Sequence, residues 1–320
     1  MVDGKYFPYF RGKQFELMAI RETATRMSQS GVVPIIEPVK LLTSPLERAL
    51  EALQKANGRC ILVVNPNCGD FSKTSSARAT LLEFVKNNLS RYSSMFDVGI
   101  LLTEKTSFNE VKDLIEDFSE YQICLIHAGY PRSRELQTLN RIDDFYHVFI
   151  SNCCKTIYRK SFNQGFRVIL EDGFIKTKNA DYPPEDFFSE LHLTYSDASE
   201  RFDGFGDYLM VGKEYSEGGG PALAVAIHLT FIDSERDSVM YTAHFVSDSN
   251  NTPTDPAGKY LEALEKMMNS ELIKNKVVRS SAIEEFKKLY ERKHFPGLGY
   301  VKKLSMIHHI ETICEFINAR

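Results

Sequence analysis

The stretch Val33-Pro34-Ile35-Ile36-Glu37-Pro38 decides how the rest of the chain is read. It is an apolar run too short for a helix, closed by a carboxylate and then a proline. The run reads as a buried strand whose last residue, Glu37, emerges at its C-terminal edge. The same order recurs along the chain: an apolar run, a polar residue at its edge, a turn, then a helical stretch. Eight candidate strands follow it, at 33–37, 60–65, 97–103, 122–127, 146–151, 166–171, 207–212 and 223–231. Helical patterns at 14–28, 45–57, 73–90, 107–118, 132–141 and 184–200 fill most of the intervals. Ser44 caps the second of these with Pro45 in its first turn, and Thr106 or Ser107 caps the fourth.

Several of these strands are apolar throughout, as parallel strands covered on both faces should be. Right-handed crossovers then wind them into a closed eightfold barrel or an open doubly wound sheet. A spacing of roughly 20–40 residues per unit favours the barrel, and no glycine-rich phosphate turn follows the first strand. The expected fold is therefore α/β, a TIM-like (β/α)8 barrel with an N-terminal helix and a C-terminal helical extension. Residues 1–30 form the N-terminal segment and helix. Residues 31–250 form the barrel, with a β-hairpin insertion (223–231 and 239–247) near strands seven and eight. Residues 251–320 form a helical extension packed on the barrel, with helices at 257–269, 281–292 and 301–317. The aromatic, basic opening Tyr6 to Lys13 is expected as a plug over the barrel's bottom or as an Arg11/Lys13 anion clamp. Gly218-Gly219-Gly220 before Pro221 marks a loop.

With 43% hydrophobic and 26% charged residues among 320, the chain is an ordinary globular one. A net charge of −4 disfavours nucleic acid and anionic membrane as general partners. Six cysteines show no C-x-x-C pair. Cys60, Cys124 and Cys153 lie in or beside apolar runs, so buried thiols and a reducing compartment, the cytoplasm, are expected. The opening residues carry charges throughout and no secretory pattern. Leu223 to Ile232, the longest apolar run, contains His228 and is too short to span a bilayer.

In a barrel, chemistry collects at the C-terminal strand ends. Those ends supply Glu37 and Lys40, Asn65 and Asn67, His127, Glu171 and Asp172, Asp207 and, from the hairpin, His228 and His244. Glu37 is a candidate base or metal ligand, or else an internal partner for Lys40 or Arg167. His127 is a candidate acid/base or a satisfied core histidine. Glu171-Asp172-Gly173 reads equally as a base or metal pair and as a turn, and Asn65-Pro66-Asn67 as ligand amides or a turn. Zinc has little support at His228 and His244, since neither sits in a ligand-spacing motif. His308-His309 is expected on a helix surface. Asp181-Tyr182-Pro183-Pro184 is a loop.

The segments Tyr6-Phe7-Pro8-Tyr9-Phe10-Arg11-Gly12-Lys13-Gln14-Phe15-Glu16, Val33-Pro34-Ile35-Ile36-Glu37-Pro38-Val39-Lys40 and Gly204-Phe205-Gly206-Asp207-Tyr208 resemble the "beta protein" family of bacteria and phages. The resemblance runs through most of the barrel region and carries no established reaction. It implies a role in phage–host conflict and draws attention to Arg11, Lys13, Glu37, Lys40 and Asp207. The expected function is a barrel hydrolase acting on a small phosphorylated or nucleotide-like ligand. In it Glu37, His127, Glu171, Asp172 and Asp207 are catalytic, Arg11, Lys13, Lys40, Asn65, Asn67 and His244 bind ligand, and a divalent metal is a candidate cofactor. The alternative is a non-catalytic interaction subunit of a two-component defence or toxin–antitoxin-like system, partnered by the product of a neighbouring gene.

Overall fold

The computed structural model describes residues 4–92, 95–218 and 223–320, and their side chains except those of Ser75, Leu89 and Ser90. Gly219, Gly220 and Pro221 of the expected glycine loop lie outside the described residues. The strands in chain order are β1 (Tyr9–Phe10), β2 (Ile35–Ile36), β3 (Cys60–Val63), β4 (Phe96–Thr103), β5 (Ile123–Ala128), β6 (Tyr146–Ile150), β7 (Phe166–Glu171), β8 (Glu185–Ser189), β9 (Gly204–Asp207), β10 (Ala226–Asp233) and β11 (Val239–Val246). The chain divides into two compact units, Met1–Glu171 with Thr194–Asp207, and Asp172–Leu193 with Tyr208–Arg320.

The first unit is a TIM-like parallel barrel with strand order β1-β2-β3-β4-β5-β6-β7-β9. Closure comes from the N-terminal segment. Tyr6 bridges Phe205 in parallel, Phe7 N–H donates to the Phe205 carbonyl at 2.8 Å, and Phe205 N–H donates to the Lys5 carbonyl at 2.9 Å. The opening segment is thus a barrel strand rather than a plug. The run 223–231, expected as strand eight, belongs to the other unit, and the strand expected at 207–212 runs over Gly204–Asp207 instead. The cause is length. Tyr9–Phe10 is a two-residue strand between Pro8 and Gly12, too short to register as a periodic pattern.

Alternation along these strands assigns their faces. A Cβ placed on Gly99 would sit 3.0 Å from Ile61 and 3.2 Å from Ile126, so side chains of β3 and β5 meet over β4 on the crowded inner face. Register carries that face to Ile35 and Tyr9, and one further step along to Glu37. Long helices at Gln14–Gln29, Ser44–Lys55, Ser75–Tyr92 and Phe108–Asp117 form early crossovers. The last is capped by Ser107, which accepts from the Glu110 N–H. Ser44 does not cap its helix: Thr43 holds that position, with its hydroxyl turned to Glu47. The pattern at 132–141 yields only the short helix Ser133–Leu136.

The second unit is a three-stranded antiparallel sheet, order β10-β11-β8, with helices Pro256–Asn269, Ser281–Glu291 and Leu298–Asn318. The stretch 184–200, expected as a helix, supplies β8 and the short helix Leu191–Thr194. The helix Leu298–Asn318 packs on β10 through its histidines, which are buried and not on a surface. His308 reaches the Thr230 carbonyl at 2.8 Å and the Ser280 hydroxyl at 2.7 Å, and His309 meets the Thr230 hydroxyl at 2.9 Å. All six cysteines are free thiols. Cys154, not the half-exposed Cys153, is the buried member of that pair. No helix among the described residues is long and apolar enough to cross a membrane.

Candidate functional site

Glu37 is 2% exposed and stands at the C-terminal edge of β2, where its own N–H still pairs with the Phe10 carbonyl at 2.8 Å. Its Oε2 accepts from the Tyr9 hydroxyl at 2.8 Å and lies 3.5 Å from Arg11 Nε. Its Oε1 accepts from the Asn67 N–H at 3.0 Å and from the Cys68 thiol at 3.3 Å. Two glycines bring these partners in. Gly12 (φ +57°) turns the chain at a point where a Cβ would sit 3.0 Å from the Glu37 carbonyl oxygen. Gly69 (φ +67°) approaches Val39 so closely that a Cβ would fall 2.1 Å from the Val39 carbonyl oxygen. Burial and the neighbouring Glu37 carboxylate push the half-buried Cys68 thiol up to about 12, against a smaller pull from Arg11. Cys68 is therefore a protonated donor at neutral pH.

Beside this cluster a polar cleft of about 430 Å³ opens at the C-terminal ends of β3 and β4. Asn67 joins the two, since its backbone holds Glu37 while the residue lines the cleft. Asn65, Ser72, Arg78, Thr103, Lys105, Thr106 and Glu110 complete the walls along with Leu101. Asn65 clips the backbone of β4, donating to the Leu101 carbonyl at 3.0 Å and accepting its N–H at 2.7 Å. Arg78 pairs with Glu110 at 3.3 Å across the rim. The cleft suits a small polar ligand, because Arg78 and Lys105 stand among hydroxyls and amides with Glu110 as the one carboxylate, already paired with Arg78.

The remaining candidates are distributed differently. Lys13 stands at the N-cap position of the helix Gln14–Gln29 without a side-chain cap bond, and Lys40 stands 3.8 Å from Asp70. Glu37 thus pairs with Arg11 and not with Lys40 or Arg167. His127 lies on the barrel wall opposite in face to Glu37, since its strand neighbours Cys124 and Ile126 share the face of Gly99. Its Nδ1 is 2.8 Å from the Tyr158 hydroxyl and its Nε2 3.0 Å from His147 Nδ1, while Phe149 stacks on the ring. Burial, with a smaller push from His147, drives its pKa well below the usual histidine value, so it is a neutral link in a closed chain. Glu171 and Asp207 are register partners on β7 and β9 and alternate onto the same face as His127. Glu171 accepts from the Ser151 hydroxyl at 3.2 Å, and Asp207 from the Tyr6 hydroxyl at 2.8 Å. The expected acids therefore sit on two faces of the wall and do not converge.

Asp172 and His244 belong to the second unit. Asp172 is exposed and accepts the backbone N–H groups of Phe174 at 3.3 Å and Lys213 at 2.8 Å, the pattern of a loop anchor. His244 lies beside His228 and Asp186 on one sheet face. No group of three or more His, Cys, Asp or Glu among the described residues is placed to hold a metal ion. Tyr9, Cys68 and Asp186 do not emerge from the sequence as site neighbours. Tyr9 belongs to a strand of two residues, and Cys68 reaches Glu37 only through the turn at Gly69. Asp186 falls in a stretch whose pattern suggested a helix.

No family model matches the chain, and no curated protein matches it in sequence. Among solved structures it is similar to a mutant O-GlcNAc hydrolase from Thermobaculum terrenum, at a TM-score of 0.39 and 12% identity over 65% of this chain and 55% of that one. The chain thus spans little more than half of that enzyme's length, and at this similarity the likeness carries no argument about site or activity.

Proposed function

We propose that the barrel is a hydrolase of small phosphorylated ligands, working at the C-terminal ends of β2 to β4. The observation that supports this reading is the buried Glu37 carboxylate held beside a cleft lined by Arg78, Lys105, uncharged polar groups and one carboxylate, Glu110, which is paired with Arg78. A carboxylate accepts about four hydrogen bonds, and Glu37 accepts three, from Tyr9, Asn67 and Cys68, with the Arg11 guanidinium paired at 3.5 Å. The thiol is the weakest donor of the three. A water that displaces it donates to Glu37 Oε1 and can lose its proton there, while Arg78 and Lys105 hold the phosphate.

The test is a melting screen with nucleotides and sugar phosphates, followed by turnover assays on any stabilising ligand. Ligand at 100 times its dissociation constant stabilises by about 2.7 kcal/mol. A shift that disappears in Arg78→Ala, with turnover abolished and melting nearly unchanged in Glu37→Gln, is the expected result. A large loss of stability in Glu37→Gln would make the cluster structural instead.

A second reading, the non-catalytic interaction subunit, draws on Leu41 and Leu42, consecutive residues 47% and 71% exposed just after β2. A stable complex with a neighbouring gene product, lost in Leu42→Asp and indifferent to Glu37→Gln, favours it. A role in phage–host conflict rests on the family resemblance alone.

A further inference from the structure

The second unit contains a cavity of about 630 Å³, larger than the barrel cleft and of a different character. Phe174, Tyr182, Met210 and Leu298 give it an apolar wall, Lys176, Lys178 and Lys302 stand around it, and His228 opens into it. Behind His228 the sheet lays out a short relay. His228 and His244 are directly opposed on β10 and β11, which puts their Nδ1 atoms 2.7 Å apart. Asp186 Oδ1 on β8 lies 3.1 Å from His244 Nε2, off the ideal N–H line, and Tyr182 stacks on the His244 ring at 4.5 Å.

This arrangement selects one tautomer. Two Nδ1 atoms at 2.7 Å share a single proton, because two lone pairs repel and two N–H groups collide. The negative charge of Asp186, 3.1 Å away, favours a proton on His244 Nε2 over a bare lone pair there. A neutral His244 then has a bare Nδ1, which accepts the Nδ1–H of His228. His228 is left with a bare Nε2 lone pair at the cavity. Burial first, then His244 and Lys302, lower the His228 pKa to about 3, so the ring is neutral at physiological pH.

We infer that this cavity is a second ligand site, one that takes an aryl or nucleoside monophosphate. The ring lies on the apolar wall, the phosphate faces the lysines, and a hydroxyl donates to His228 Nε2. The three parts follow from three separate features of the cavity, and none depends on the barrel reading.

Calorimetric titration of the full chain with AMP and phenyl phosphate, against adenosine and inorganic phosphate, tests the assignment. At least one of the two esters should bind roughly tenfold or more tightly than either fragment, since each fragment meets only half of the site. Lys176→Glu/Lys178→Glu and His228→Gln should each weaken that ester roughly tenfold while melting stays within a few degrees of the parent. Long-range proton–nitrogen correlation spectra should show His228 as the Nδ1–H tautomer. Absence of binding by both esters, or binding unchanged in both variants, overturns the proposal. So does an Nε2–H tautomer for His228, or binding lost in Arg78→Ala and retained in His228→Gln, which would place the ligand on the barrel.

Discussion

Glu37 and Cys68 show how much a single contact changes a residue's chemistry. The thiol donates to a carboxylate 3.3 Å away and is pushed up to about 12, so at pH 8 almost none of it is thiolate. Iodoacetamide should therefore modify Cys68 at least about 100-fold more slowly than a free cysteine of ordinary pKa. The Glu37→Gln variant should react faster, because the negative charge that opposes thiolate formation is gone. Peptide mapping distinguishes Cys68 from the half-exposed Cys153, and equal rates in parent and variant would break the link between the two residues. Glu37 itself was legible, since a carboxylate between an apolar run and a proline has few places to go. Its partners were not, because Gly12 and Gly69 create those contacts by turning segments about 25 and 30 residues distant in sequence, and no local pattern encodes such an approach.

Among the elements, long ones were readable and short ones were not. The run Phe96–Thr103 and the helices Phe108–Asp117 and Ser281–Glu291 carry enough residues for a period to show. β1, with two residues, and β8, with Glu185 and Asp186 at its start, do not. The parallel barrel is legible in the sequence but its first and last strands are not, since the eighth apolar run, 223–231, is a strand of the other unit. The seam between β1 and β9 offers a sharp test. A Cβ on Gly206 would fall 2.1 Å from the Phe7 carbonyl oxygen, a backbone atom that cannot step aside without opening the closure. Gly206→Ala should cost about 3 kcal/mol or more in denaturant unfolding. Gly218→Ala, where nothing lies within 4 Å, should be nearly neutral. A neutral Gly206→Ala would mean that the seam is not as tight as described.

At the scale of the whole molecule, both units store neutral histidines. His147 in the barrel unit and His308 in the other are each lowered to about 4, burial being the main cause in both. Above pH 6.5 folded and unfolded chains are alike at these rings. Below it the unfolded chain takes up protons that the folded one refuses, so stability falls by up to about 1.4 kcal/mol per pH unit for each ring until the folded value is reached. The melting temperature should drop steadily from pH 6.5 to 5, a window above the range in which ordinary carboxylates titrate, and the slope should lessen in His308→Gln. A flat profile there would contradict the burial of these rings. The path of the chain through its two units has a further consequence, for synthesis. β8 belongs to a sheet whose other strands have not been made when it leaves the ribosome. From Ser189 to Val239 is about 50 residues, or about 2.5–10 s of elongation. Throughout that interval Phe187 and Phe188 have no β11 to pair with, while β9, which the barrel needs for closure, emerges between them. The nascent chain must therefore complete its first unit with a piece of the second hanging from it, and this is the stage at which a chaperone would be most needed.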